Sequence, residues 1–208
     1  MNIVEAYIKF KNKLIIIISG ISGSGKTELS KNISKLLDLK LINLNKYCRK
    51  DYNKTIKLQG NTEVINWDSD DVYDWDKFNK DVNDNYKNGV VLTGVSFPRD
   101  KINFTPDYHI QIKLSKQNLL KKRSEILDEL EDNCSGTSEN KIDKNLEYTL
   151  FNQVTYPYYL NLTNNSDITK FLNANEYINL SNDEYNEKLY DEAFDYLMKQ
   201  ISKAVYSQ

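Results

Sequence analysis

Leu14-Ile15-Ile16-Ile17-Ile18-Ser19 runs straight into Gly20-Ile21-Ser22-Gly23-Ser24-Gly25-Lys26-Thr27, and this join decides how the chain is read. The first part is short, apolar and β-branched, which predicts a strand covered on both faces, as in a parallel sheet. The second matches G-x-x-x-x-G-K-[ST] in full, after a strand and at the start of an amphipathic helix. Glycines at those positions let backbone N–H groups turn inward around phosphate oxygens, and the helix N-terminus adds its partial positive charge. Gly20, Ser22, Gly23, Ser24, Gly25, Lys26 and Thr27 are therefore the expected nucleotide-binding residues. Lys26 is expected to reach the β- and γ-phosphates of ATP, and the Thr27 hydroxyl to ligate Mg²⁺.

Working outward, helical spacing of Leu29, Ile33, Leu36 and Leu37 predicts a helix from Lys26 to Leu39, and alternation predicts a strand from Leu39 to Leu44. A helix is expected over Trp75–Tyr86, a buried strand over Gly89–Gly94 and a further strand over Tyr108–Leu114. Ser115 reads as the cap of a helix running to Leu130. Glu131–Asn145 is polar and reads as a mobile loop around Ser135-Gly136-Thr137-Ser138. Glu147–Leu162 is helical apart from Pro157, Glu176–Leu180 reads as a last strand, and Asp183–Val205 as an amphipathic helix striped with Leu189, Ala193, Leu197, Ile201 and Val205. Asn61–Asp84 and Leu162–Asn175 are polar and loop-prone. Strands alternating with helices mean an α/β fold around a mostly parallel sheet.

Composition narrows the function. The 208 residues carry 28 Lys and Arg against 30 Asp and Glu, a net charge of -2, which argues against a strongly basic nucleic-acid binder. The longest apolar run, Leu14–Ile18, is far short of the roughly 20 residues of a spanning helix, and no small-residue cleavage site follows it. No membrane association is expected. Cys48 and Cys134 form no metal spacing and read as reduced thiols of a cytoplasmic protein. About one residue in eight is Asn, and Lys, Ile and Tyr are also abundant, a bias of A/T-rich codons rather than of chemistry. No N-K-x-D base reader follows a predicted strand, which turns the reading from GTPases toward small-molecule kinases.

At this point the sequence resembles the uridine kinase and nicotinamide riboside kinase group, from Leu14 to about Leu162. After the phosphate loop, Asn66-Trp67-Asp68-Ser69-Asp70-Asp71 is similar to that group's aromatic-Asp stretch, and Val90-Val91-Leu92-Thr93-Gly94 to its central strand. Leu114–Ser124, ending Lys121-Lys122-Arg123-Ser124, resembles its basic lid segment, and Tyr156-Pro157-Tyr158-Tyr159-Leu160 its aromatic-Pro-x-Tyr-Leu element. The resemblance implies one three-layer kinase-like domain over 1–208 with about five parallel strands and a lid near 123–145. It implies that Asp68 binds the ribose diol, Trp67 stacks on the base, and Arg123 contacts ribose or phosphate. Lys121 and Lys122 are placed by it near the moving phosphoryl group. The implied reaction is transfer of the ATP γ-phosphoryl to the 5′-hydroxyl of a nucleoside.

Two positions depart from the group. Asn45 stands where the general base is expected, and Thr93-Gly94 where Glu-Gly is expected. A positioned base contributes about 10²–10⁴ in rate, whereas phosphoryl transfer draws most of its acceleration from positioning and electrostatics. Asn45 would orient the hydroxyl without taking its proton, and Asp70 or Asp71 is a candidate replacement base. The alternatives are a catalytically silent nucleotide-binding protein and a nucleoside monophosphate kinase. His109, the single histidine, sits on a predicted strand and reads as structural. Lys46, Arg49, Lys50, Lys54 and Lys57 read as a solvated face, with the mouth of a site for a phosphorylated ligand as the alternative.

Overall fold

A computed structural model describes residues 2–133 and 143–207, with the side chains of 126–133 outside the description. In chain order the elements are α1 (Ile3–Lys11), β1 (Ile15–Ser19), α2 (Lys26–Leu37), β2 (Lys40–Asn43), β3 (Thr55–Lys57), β4 (Glu63–Ile65), α3 (Trp75–Asn85), β5 (Val90–Gly94) and β6 (Tyr108–Lys113). They continue with α4 (Lys116–Asn133), α5 (Lys144–Leu150), a π-helical turn (Phe151–Thr155), α6 (Tyr156–Asn164), β7 (Lys170–Asn173) and α7 (Asn182–Tyr206).

Five strands form one parallel sheet in the order β2-β5-β1-β6-β7. β1 lies at its centre because all five of its residues are buried and it needs a neighbour on both edges. Ile16 and Ile18 face a core with Leu29, Ile33, Leu189, Leu197 and Ile201, so α2 and α7 cover one side. Ile15 and Ile17 face Phe78, Val82, Leu92 and Phe97, so α3 covers the other. Ser19 registers with Gly94 on β5 and with Gln111 on β6. Successive strands leave β1 to one side and then to the other, so the order reverses at β1, and ligands in open α/β sheets bind outside the carboxyl ends of strands at such a point.

Most elements lie within two residues of their expected ends. α2 stops at Leu37 because Asp38 turns left-handed at φ 53° and closes the helix onto the carbonyls of Lys35 and Ser34. Ser115 is the cap of α4, its Oγ accepting from the N–H of Asn118 at 3.2 Å, but the helix runs on to Asn133. The strand expected at 176–180 is a correction. The last strand is β7, inside a stretch that reads as loop, and 174–177 forms a 3₁₀ turn. β7 is an edge strand with one fully buried side chain, Leu172, so it carries almost no apolar signature. Residues 131–133 close α4, and the helix α5 begins at Lys144 under an Asp143 cap, where the loop was expected to continue. Cys134, Ser135–Ser138 and most of the expected lid lie outside the described residues.

Two elements are absent from the sequence reading. α1 carries a capping box in which Asn2 and Glu5 each bond the other's backbone N–H. It is tied to the sheet where β1 begins: Tyr7 donates to Asp107 at 3.1 Å, and Asp107 accepts from the Ile15 N–H at 2.8 Å. The β3–β4 hairpin turns at Gly60 and Asn61, both with positive φ. Among the described residues, no helix is long and apolar enough to cross a membrane.

His109 is buried on β6 with its Nε2 2.8 Å from Ser19 Oγ, and burial lowers its pKa to about 4. The unfolded chain therefore takes up this proton first as pH falls. The stability tied to a neutral His109 is full above about 6.5 and is lost as pH drops toward 4. Between pH 7.5 and 5 the wild type should lose about 2 kcal/mol more stability than His109→Gln, read from urea unfolding at both pH values.

Candidate active site

Residues 20–25 turn over the carboxyl end of β1 and into α2. The Gly20 N–H bonds the carbonyls of Gly94 and Val95 at 3.3 and 3.2 Å, which anchors the start of the loop on β5. Gly25 is the N-cap of α2 at φ 86°, a conformation other residues rarely adopt, and a Cβ there would lie 3.1 Å from the Tyr185 ring. A Cβ on Gly20 would lie 2.5 Å from Ser24 Oγ. Ser24 Oγ itself is buried without a hydrogen-bond partner among the described residues.

Lys26 sits in the first turn of α2, only 9% exposed. No carboxylate pairs with it among the described residues. Burial, with the nearby Arg123 guanidinium adding repulsion, lowers its pKa to about 8. Thr27, next along, is exposed at the helix start.

Arg123 on α4 lies within electrostatic reach of both Lys26 and Asp68. Glu147 on α5 pairs with its guanidinium, whose carbon lies 5.3 Å from the Phe151 ring centroid, and its Nε is buried without a hydrogen-bond partner among the described residues. Its charge also bears on Asp68. Asp68 is held by Thr155, which donates to Oδ2 at 2.7 Å, and burial raises the pKa of its carboxyl. Lys26, Arg123 and Asp68 therefore form one electrostatic neighbourhood.

Thr155 ends the π-helical turn and meets Asp68, while Phe151, which begins the turn, lies under Arg123. Pro157 falls in the first turn of α6, where its missing N–H is tolerated. The same turn grips the hairpin through Gln153, which bonds the Gln59 backbone and side chain at 3.0 and 3.2 Å. Trp67 is 55% exposed and packs on Tyr52 with ring centroids 5.8 Å apart, next to Asp68 in the chain.

Other candidates go elsewhere. Asp71 is paired with Lys54 on the surface, and Asp70 accepts from Tyr158 at 2.6 Å, with Lys101 3.6 Å away. Asn45 is exposed in the 3₁₀ turn after β2, held through its backbone N–H by Asn43 Oδ1. Thr93, the last residue but one of β5, lies beside Asn43 and Ile18, its Oγ1 buried without a hydrogen-bond partner among the described residues. Lys121 and Lys122 are directed to Asn179 and Asn182, at 3.5 and 3.1 Å, and not to the Arg123–Asp68 side. With Glu125 and residues 178–182 they line a groove of about 400 Å³. Asn140-Lys141-Ile142-Asp143 has an N-K-x-D pattern, but Asp143 caps α5 by accepting from the N–H groups of Asn145 and Leu146, and the other three lie outside the described residues.

Thr155, Glu147, Phe151 and Tyr185 are site residues that sequence reasoning missed. None sits in a motif; the Tyr156-Pro157 step is the one nearby signal.

No protein-family model and no curated protein matches this chain. Among solved structures, shikimate kinase from Bacteroides thetaiotaomicron is similar at 17% identity and a TM-score of 0.49, covering 89% of this chain and 98% of that one. A sugar kinase from a Janibacter species is similar at 13% identity and a TM-score of 0.48, covering 93% and 98%. What the chain does is accordingly read from its own residues.

An ammonium held out of water without an anion destabilises the ligand-free protein at neutral pH, because its folded pKa of about 8 lies below the unfolded 10.5. Lys26→Met should therefore raise ligand-free stability by about 2–3 kcal/mol, seen as a higher Tm at pH 7.

Proposed function

We propose that this protein is an ATP- and Mg²⁺-dependent phosphotransferase that moves the γ-phosphoryl group to the 5′-hydroxyl of a nucleoside or ribosyl-nucleoside. The observation that carries the reading is Lys26: a buried cation with no counter-ion among the described residues, at the start of a helix and close to a buried Ser24 hydroxyl with no partner among them. Polyphosphate oxygens supply the missing charge and acceptors, with inward backbone N–H groups completing the cradle.

The residues fit a Mg²⁺ ion held mainly by phosphate oxygens. Thr27 offers a hydroxyl, Thr93 offers a buried oxygen without a partner, and no group of three or more His, Cys, Asp or Glu gathers among the described residues. When bound, the ion offsets charge between the β- and γ-phosphates.

On the acceptor side, Asp68 would accept from the ribose hydroxyls with Thr155 fixing one of its oxygens, and Trp67 with Tyr52 would cover the base. Arg123, within electrostatic reach of both Lys26 and Asp68, would steady the phosphoryl group in passage. The groove between α4 and residues 178–182 would take the nucleotide's base. Asn45 and Thr93 leave the acceptor without the expected acids, which favours nucleotide binding without transfer as the second reading.

Titration calorimetry with ATP and Mg²⁺, beside ADP release in the presence of uridine or nicotinamide riboside, separates the two. A kinase releases ADP only with an acceptor; binding of both ligands without release supports the silent reading. Lys26→Ala should abolish ATP binding, and an ATP affinity equal to wild type would overturn both readings. Asp68→Asn should raise the acceptor KM by about 10–100-fold, the usual loss for a charged hydrogen bond, and leave ATP binding unchanged. Because free Lys26 loses its proton near pH 8, ATP affinity should fall above that pH, with proton uptake on binding visible as a buffer-dependent enthalpy.

A further inference from the structure

A loop that gathers N–H groups around an anion has to send the matching carbonyls outward. The peptide bond is planar and trans, so the Ser24 carbonyl and the Gly25 N–H point in opposite directions from one rigid plane. Whatever holds that carbonyl aims that N–H. The holder lies on the last helix, 161 residues away: the Tyr185 hydroxyl donates to the Ser24 carbonyl at 3.1 Å. The Tyr185 ring also closes against the Cα of Gly25, where an added Cβ would lie 3.1 Å from it. Tyr185 is 2% exposed, and burial pushes its phenol well above the usual range, so it remains a donor.

A second group bears on the same ring. Lys122 is only 8% exposed, and its ammonium lies 4.3 Å from the centroid of Tyr185 while donating to Asn182 Oδ1 at 3.1 Å. A cation over the face of a phenol draws electron density from it and strengthens the O–H as a donor. Lys122 adjoins Arg123, so one turn of α4 presents one cation to the acceptor side and another to the support of the phosphate loop.

We propose that Tyr185, with Lys122 held against its ring, is a positioning residue that orients the Ser24–Gly25 peptide so that the Gly25 N–H faces a bound polyphosphate. This rests on the reading of residues 20–27 as a nucleotide cradle and goes beyond it, since neither residue belongs to the loop. The substrate moiety that senses the pair is the polyphosphate, not the nucleoside.

Calorimetry tests this with Mg²⁺–ATP, inorganic tripolyphosphate and uridine as probes. Tyr185→Phe keeps the ring and removes the hydroxyl; it should weaken ATP and tripolyphosphate by about tenfold and leave uridine unchanged. Lys122→Met should weaken the two polyphosphates by about threefold, Lys122→Arg should restore them, and Lys122→Met combined with Tyr185→Phe should lose no more than Tyr185→Phe alone. Polyphosphate affinities within twofold of wild type in Tyr185→Phe would overturn the proposal. So would equal losses for all three probes with a lowered Tm, which is the signature of a structural role alone. Full additivity in the double variant would remove Lys122 from it. Failure of the wild type itself to bind ATP is a separate outcome that sinks the cradle and this proposal together.

Discussion

A lysine ammonium kept out of water with no carboxylate beside it among the described residues is the constraint on which the rest of this structure depends. Burial of that kind is unfavourable unless an anion arrives, and the fold is arranged to impose it. β1 can only be a central strand, so the chain leaves it at the middle of the carboxyl edge, and two left-handed glycines turn it into α2 within six residues. Lys26 follows at once, too close to the sheet to reach solvent. α7 then closes the far side of the turn, where its tyrosine packs on Gly25.

The Asp68 side is organised by a different device. Arg123, to which the proposed function gives a phosphoryl group and a sugar, is held in the ligand-free protein by Glu147 and Phe151. Phe151 and Thr155, four residues apart at the two ends of the π-helical turn and so on one face of it, meet Arg123 and Asp68 respectively. Under the proposed function, Asn45 and Thr93 at the positions where acids are expected would make the chemistry lean on placement and charge more than on proton abstraction, which suits a loose phosphoryl-transfer transition state.

Legibility in the sequence followed burial. β1, β5 and β6 are covered on both faces, so their composition alone marks them, and the stripe of α7 has the helical period because one face meets the sheet. β7 and the β3–β4 hairpin lie at edges, bury little and leave almost no pattern, and so β7 reads as loop while a neighbouring turn reads as strand. α1 was marked by its Asn2–Glu5 capping box, a signal present but unread. Of the residues that form one electrostatic neighbourhood, Lys26 is singled out in the sequence by the glycine loop and Asp68 and Arg123 by the family resemblance, whereas Glu147, Thr155 and Tyr185 carry no such mark, because their contacts depend on which distant residue they meet.

The sequence by itself determined that a buried strand runs into a glycine turn and a lysine, and therefore that an α/β sheet carries this turn at its carboxyl edge. Those features are local, set by backbone freedom and by the period of apolar residues over a dozen positions. Only the tertiary structure decided where the cations on α4 point, which carboxylate is buried, and what braces the loop from behind. Each of these is a contact between segments far apart in the chain, and neither spacing nor composition encodes which side chains the packing of helices on a sheet will bring together.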